Sequence, residues 1–300
     1  MFSWLIIIIL SYLFFSLASF GDKLVLRGVP NAKLYTFYVG MLNILIIFLI
    51  PFTKFGFPDP ASLGWILLEA TVYVLGLYAM FVALERFDVS RVMTTIGALQ
   101  PILILMLTLA FWGSGVVSGM NLLAFVLLVS GSILISVEKK IKITFHYVFL
   151  ISFSSLMFSL DYIFSKIVFL HQPFLQGLIW MRLACFVLVL LLLFSKKLRK
   201  QLFTKKANLD KKSGTIFVSA QFAGGIAGVL QSLAIALVPL SYLATINSLR
   251  GIQYVFLFII TLFFSLFLPK IFKEDISKKI IIQKMAAIFL IVAGLALLVF

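Results

Sequence analysis

Apolar residues run along this chain in long blocks separated by short polar breaks, from its first residues to its last. Within a few residues at each end the blocks fall at 2–21, 34–53, 62–84, 89–111, 119–137, 146–169, 173–195, 214–237, 240–268 and 280–300. A bilayer's hydrocarbon core, roughly 30 Å thick, is crossed by about 20 residues of helix. Each block is long enough for that. None alternates apolar and polar with a period of two, the mark of a transmembrane β-strand. Without water the backbone must satisfy itself inside each segment, so the blocks predict helices. The pattern therefore predicts an all-α membrane protein with ten transmembrane helices. The ninth block is long for one crossing, which a tilt would absorb.

Composition agrees. Hydrophobic residues make up 63% of the chain and charged ones 12%, with a mean hydropathy of +1.19. Soluble domains hold roughly 45–50% apolar and about 25% charged residues. The bilayer must be the solvent, and no stretch is left over for a soluble domain. The sole cysteine, Cys185, lies inside an apolar block, so neither a disulfide nor a thiolate metal site is expected. No Lys or Arg precedes the apolar run at 2–21, unlike a cleaved signal peptide, which makes it the expected first span.

The net charge of +15 would suggest nucleic acid in a soluble protein. Here the cations stand between the blocks. Nearly all Lys and Arg concentrate in the odd-numbered connections, while the even-numbered ones are assigned only Lys54 and Lys166. The positive-inside rule then puts the odd connections in the cytoplasm and both termini outside. The stretch KKLRKQLFTKKANLDKK at 196–212 is the strongest single determinant. Its alternative reading is an anionic-lipid site.

The chain also repeats itself. ALERFDVSRVMTTIGALQP at 83–101 can be laid against ALVPLSYLATINSLRGIQ at 236–253, with a two-residue gap. Each closes one span on Ala-Leu, turns, and enters the next through a Ser and a Thr-Ile pair. A small-residue pair recurs late in each half, Ser130-Gly131 and Ala293-Gly294. The halves, 1–137 and 146–300, hold five helices each. Five is odd, so the second half must insert upside down, giving two inverted five-helix repeats. On these residues, together with Pro101 and the run Lys273-Glu274-Asp275-Ile276-Ser277, the chain resembles the EamA-like transporters of the drug/metabolite transporter superfamily over nearly its whole length. The resemblance implies a secondary transporter whose spans one to four and six to nine line a cavity, with spans five and ten packed outside. Many members have cytoplasmic termini, the reverse of the charge count here.

Candidate chemistry comes from charges inside the apolar blocks, which cost about 2.5–3.5 kcal/mol each at a helix centre. Those placed deep within the hydrocarbon, away from the block ends, are four, Glu69, Asp161, Arg182 and Arg250. Asp161 and Arg182 flank the turn near 170–173 by similar lengths, which places them at one depth. They are expected to form an ion pair fixing two helices, or to serve in proton coupling. Arg250 shares a helix face with Asn247 and lies beside Gln253. A guanidinium grips a carboxylate or phosphate with two prongs, so this trio is a substrate-binding candidate. Internal pairing of Arg250 with Glu69 or Asp161 is the alternative. Glu69 could also bind substrate or carry a proton.

Pro101 removes a hydrogen bond to the Gly97 carbonyl and predicts a helix kink beside Gln100, another candidate for the cavity. Trp180 is a candidate lining residue, as are Tyr12, Tyr73, Tyr78 and Tyr254, against the commoner role of an interface anchor. Ala220, Gly224 and Gly228 form a small-residue stripe suited to close helix packing.

The expected function is a secondary transporter or exporter of a small acidic or zwitterionic, amino-acid-like metabolite, working by alternating access. A lipid-carrier flippase on the same fold is the alternative. An enzyme is not expected: Gly113-Ser114-Gly115 superficially resembles a rhomboid protease motif, but His146 and His171 fall at span edges, and no HExxH or Walker A sequence is present. The implied partners are a small-molecule substrate and the lipid bilayer, with a homodimer as an admissible assembly. Nucleic acid, cofactor and metal are not expected. Heavy use of Phe, Ile and Lys points to an A/T-rich prokaryotic genome, hence to a multi-pass protein of the cell (inner or plasma) membrane.

Overall fold

The structure, a computed structural model, describes residues 3–25, 32–87, 89–136, 144–194, 199, 211–267 and 278–299. The run at 273–277 and all of the basic stretch at 196–212 except 199, 211 and 212 lie outside these residues. All the regular secondary structure among the described residues is helical. The helices are α1 (Ser3–Val25), α2 (Ala32–Leu42), α3 (Pro60–Leu84), α4 (Val89–Trp112), α5 (Gly119–Ser136) and α6 (Phe145–His171). They continue with α7 (Phe174–Leu190), α8 (Lys211–Leu237), α9 (Leu243–Ser248), α10 (Gly251–Phe267) and α11 (Lys278–Val299). Each predicted apolar block is mainly helical over its described residues.

Among the described residues, seven helical segments are long and apolar enough to cross a membrane, and Thr36–Phe52, Gly119–Ile135 and Ile282–Leu298 are shorter apolar helices. The outward faces carry large apolar side chains such as Phe222, Phe263 and Phe289, all exposed. Water would not tolerate such faces; lipid does. The chain is an all-helical, multi-pass membrane protein.

Local chemistry sets several boundaries. Asp59 caps α3, its Oδ1 accepting from the amides of Ala61 (3.1 Å) and Ser62 (3.0 Å), and Pro60 occupies the first helical position. Thr144 caps α6 by accepting from the Tyr147 amide at 3.2 Å. The second span departs from the expected single helix. After α2 it tightens into a 3₁₀ helix, Asn43–Phe52. Asn43 Nδ2 donates to the Val39 and Gly40 carbonyls (3.3 and 3.1 Å), competing with the backbone ladder at the changeover. Pro51 then lacks the amide that would prolong it. Pro101, by contrast, does not end α4, which runs on to Trp112. Lys166, assigned to a connection by the charge count, lies buried within α6, five residues from its end. A side chain of that length can carry its charge toward a helix terminus.

The helices fall into two compact units, each drawing on both halves of the sequence. One comprises Met1–Arg27, Thr108–Lys140 and Leu209–Phe300. In it α1 packs along α8 and α10, and α5 along α11. Ser11 donates to the Ala227 carbonyl at 2.8 Å, and Gly224 faces Ala18. Gly228 faces nothing within 4 Å, so the packing line on α8 is Ala220, Gly224, Ala227 rather than the stripe of every fourth residue. Gly131 and Gly294 bring α5 and α11 into close contact: a Cβ at Gly131 would lie 3.0 Å from the Ala287 carbonyl, and one at Gly294 3.1 Å from that of Ala124.

The other unit comprises Gly28–Leu107 and Ile141–Asn208. Here α3 packs on α6 and α7, and the second span lies against α7. Ser154 donates to the Gly76 carbonyl at 3.0 Å, across the α3–α6 contact. At one end Ala83, Val92, Ile96, Tyr147 and Ile151 form a buried cluster, and the Tyr147 and Thr95 hydroxyls share a 2.6 Å hydrogen bond. His146 lies beside it, 2.7 Å from the Arg86 guanidinium.

Candidate functional site

In the unit built on α3, α6 and α7, three intramembrane charges come together. α3 and α7 start side by side: Gln172 Nε2 donates to Asp59 Oδ2 at 3.1 Å and Gln176 Nε2 to the Gly56 carbonyl at 3.2 Å. Glu69 then lies about nine residues into α3 and Arg182 about eight into α7, at equal depth for a rise of about 1.5 Å per residue. Arg182 Nη2 stands 3.7 Å from Glu69 Oε1. Tyr73, one turn beyond Glu69, turns its ring under the guanidinium, 5.0 Å from ring centre to charge. From α6, Asp161 lies close enough to act electrostatically on both Glu69 and Arg182, and Ser165, one turn on, approaches Glu69.

The expected partner of Arg182 was Asp161. Its near partner is Glu69, with Asp161 beside the two. The side chain of Glu69 is 0% exposed and that of Arg182 18%. At 3.7 Å the contact is an ion pair but too long for a hydrogen bond. Among the described residues, neither oxygen of Glu69 nor Oδ1 of Asp161 has a hydrogen-bond partner. Burying an ion without its hydrogen bonds costs several kcal/mol, so this cluster is not there for stability alone.

Trp180 sits nearer the start of α7. Its indole N–H donates to the Gly56 carbonyl at 2.8 Å; Phe55 stacks on it at 5.1 Å and Phe57 meets it edge-on at 5.1 Å. It clasps the 53–59 connection, a structural duty that leaves it apart from the buried charges. Gln100 is buried on α4, and its carbonyl accepts from the Ser159 hydroxyl at 3.2 Å. Asp59, outside the span, has its carboxyl held below the usual range by hydrogen bonds from the Ser62 hydroxyl and the Ser62 and Ala61 amides.

The other unit holds Asn247, Arg250 and Gln253, and there the ninth span is broken. A 3₁₀ turn, Leu240–Tyr242, leads into the short α9; Leu249 and Arg250 leave the helix, and α10 starts at Gly251. The Leu249 amide still reaches back four residues, to Thr245 (3.1 Å), but the Arg250 amide turns to Asn247 (3.1 Å) and that of Ile252 to Leu249 (2.9 Å). The helix tightens there. The carbonyls these amides would otherwise meet belong to Ile246 and Ser248. Both find side chains: the Tyr12 hydroxyl donates to Ile246 O at 2.7 Å and the Ser132 hydroxyl to Ser248 O at 2.9 Å. Gly251 allows the approach, since a Cβ there would meet the Ser132 hydroxyl and lie 2.8 Å from Ile291.

Polar side chains gather at the break. Gln253 Nε2 reaches Ser19 Oγ at 3.4 Å, and Tyr254 lies within electrostatic range of Arg250. Asn247 is wholly buried, and among the described residues neither its Oδ1 nor its Nδ2 has a partner; the side-chain Nε2 of Gln231 on α8 has none there either. A buried carboxamide without hydrogen bonds costs about 1–3 kcal/mol. Sequence reasoning picked out Asn247, Arg250 and Gln253 but missed Tyr12 and Ser132 as the residues that hold the break. Only the irregular register of polar residues within 245–253 hinted at it.

No protein-family model and no curated protein matches this chain. A solved crystal structure of a protein is similar to it, with a TM-score of 0.70 and 14% identity over 98% of this chain and 96% of that one. At that identity the likeness is one of fold.

Proposed function

We propose that the protein is a secondary transporter of the EamA-like, drug/metabolite class, with ten spans in two inverted five-helix repeats. It moves a small acidic or zwitterionic metabolite across the cell membrane by alternating access. The observation that carries this reading is the break in the ninth span, where the buried Asn247 carboxamide offers a donor and an acceptor with no partner among the described residues. Discontinuous helices with free polar groups at mid-membrane are how secondary transporters hold solutes. Arg250, at the break itself, supplies the positive charge that an acidic group would need.

The helix pairing supports the repeat. If the first and sixth spans correspond, and the third and eighth, then the α1–α8 contact has its counterpart in α6–α3. The fifth and tenth spans, α5 and α11, pair with each other through Gly131 and Gly294, as equivalent helices would.

Exchange in proteoliposomes against a panel of labelled amino acids and organic acids tests the function. Exchange of an acidic or zwitterionic solute, lost in Asn247→Leu, is the expected result. Exchange confined to cationic or uncharged solutes overturns the substrate class, and no exchange beyond that of protein-free liposomes overturns the function.

A further inference from the structure

The cluster on α3, α6 and α7 has an unbalanced charge. Two carboxylates, Glu69 and Asp161, accompany one guanidinium, Arg182. The other titratable groups acting on Glu69's surroundings are Tyr73 on α3 and Cys185 on α7, both neutral as phenol and thiol. The second span, which also packs on α3 and α7, brings no charged side chain among those described. With both acids ionised the cluster would hold a net negative charge around a sealed Glu69, the arrangement in which two neighbouring carboxyls share a proton.

The hydrogen bonding has the same gap. Among the described residues, no donor comes within 3.5 Å at hydrogen-bond geometry of either oxygen of Glu69 or of Oδ1 of Asp161, although the Ser165 hydroxyl approaches Glu69. Arg182 is too far from Glu69 to donate, at 3.7 Å. One proton on either carboxyl removes the surplus charge and creates an O–H donor between the two acids. The cluster is also open on one side only: Glu69 is sealed, while Asp161 and Arg182 remain partly exposed. Asp161 is thus the less enclosed of the two carboxyls, and Glu69 the one behind it.

We propose that Glu69 and Asp161 hold one exchangeable proton between them beside Arg182, and that this pair is the coupling-proton site of the transport cycle. The transport role rests on the function proposed above; the proton itself does not. No covalent chemistry is involved: the proton enters from water through Asp161 on one side of the membrane and is released through it to the other once the transport cycle has switched access.

Infrared difference spectroscopy of the purified full chain in lipid nanodiscs, without any solute, tests it. A protonated carboxylic acid gives a carbonyl band that shifts in deuterated water. Wild type should show this band at neutral pH and lose it as pH rises. Glu69→Gln and Asp161→Asn should each lack it, because a single remaining carboxylate balances Arg182 unaided. Two variants guard against one that fails to fold. Absence of the band from folded wild type, or its survival in a folded single variant, overturns the shared proton. For coupling, dye-loaded proteoliposomes given the same solute panel should acidify or alkalinise in response to solute, and Glu69→Gln should abolish that response. An intact response in Glu69→Gln overturns the coupling role while leaving the exchange assay, and hence the transport reading, to stand on its own result.

Discussion

The Tyr12 hydroxyl donates to the Ile246 carbonyl at 2.7 Å, and it does so where the ninth span has withdrawn its own donor, the Arg250 amide. The first span therefore supplies the donor that the tightened turn of the ninth no longer gives to Ile246. Tyr12→Phe keeps the ring and removes only the hydroxyl, leaving Ile246 O buried without a donor. The variant should lose about 1–2 kcal/mol of stability, the usual toll of one unsatisfied buried group tempered by the modest value of such bonds in membranes. Thermal unfolding in detergent checks this, and Ser132→Ala, which strips the donor from Ser248 O, should behave similarly. A wild-type melting temperature for both would mean that the break needs neither hydroxyl.

Asp59 gives a pH dependence with a definite sign. Its carboxyl is held below the ordinary range by the Ser62 hydroxyl and by the Ser62 and Ala61 amides. A depressed folded value means stability present above the unfolded value and lost as pH falls through the folded one. Melting temperature followed into the acid range should thus contain a step that vanishes in Asp59→Asn, whose amide oxygen still caps α3 but cannot titrate. An unchanged acid profile in that variant would remove Asp59 from the account.

Orientation is open to direct test because Cys185, the only cysteine, is buried and will not react from outside. Asn208→Cys should resist an impermeant thiol reagent in intact cells, and a cysteine appended after Phe300 should label. The reverse pattern would put the termini in the cytoplasm, as in many EamA-like proteins.

The apolar blocks were enough to locate the long helices among the described residues, because span length is dictated by the bilayer and not by tertiary packing. Asp59-Pro60 and Thr144 could be recognised as starts for the same local reason. The break at Leu249 and Arg250 could not, since 240–268 is apolar enough to pass for one helix and what holds the gap open comes from Tyr12 and Ser132, far away in sequence. The partner of Arg182 falls between these cases. Equal depth was used to match Arg182 with Asp161 across their shared turn, and the same count from Pro60 would have brought in Glu69. Choosing between them depended on which faces α3, α6 and α7 turn inward, and their uniformly apolar composition leaves little pattern from which to tell.

Arg250 decides whether the solute is acidic. It lies at the break beside the unpartnered Asn247 amide, in a span where an idle charge would cost about 2.5–3.5 kcal/mol. If its guanidinium grips a carboxylate with two prongs, Arg250→Lys should fold normally yet bind the exchanged solute more weakly, because an ammonium is a point charge. Arg250→Gln should lose more, about 2–5 kcal/mol, since the bound anion would then be buried without a counter-charge. Calorimetry in detergent with the solute found by exchange measures both, and thermal unfolding controls for folding. The order matters as much as the size: a structural arginine that only braces the break would lower the melting temperature of both variants and leave their affinity alone. Unchanged affinity in a well-folded Arg250→Gln protein would assign the residue to the scaffold and take the acidic group away from the solute.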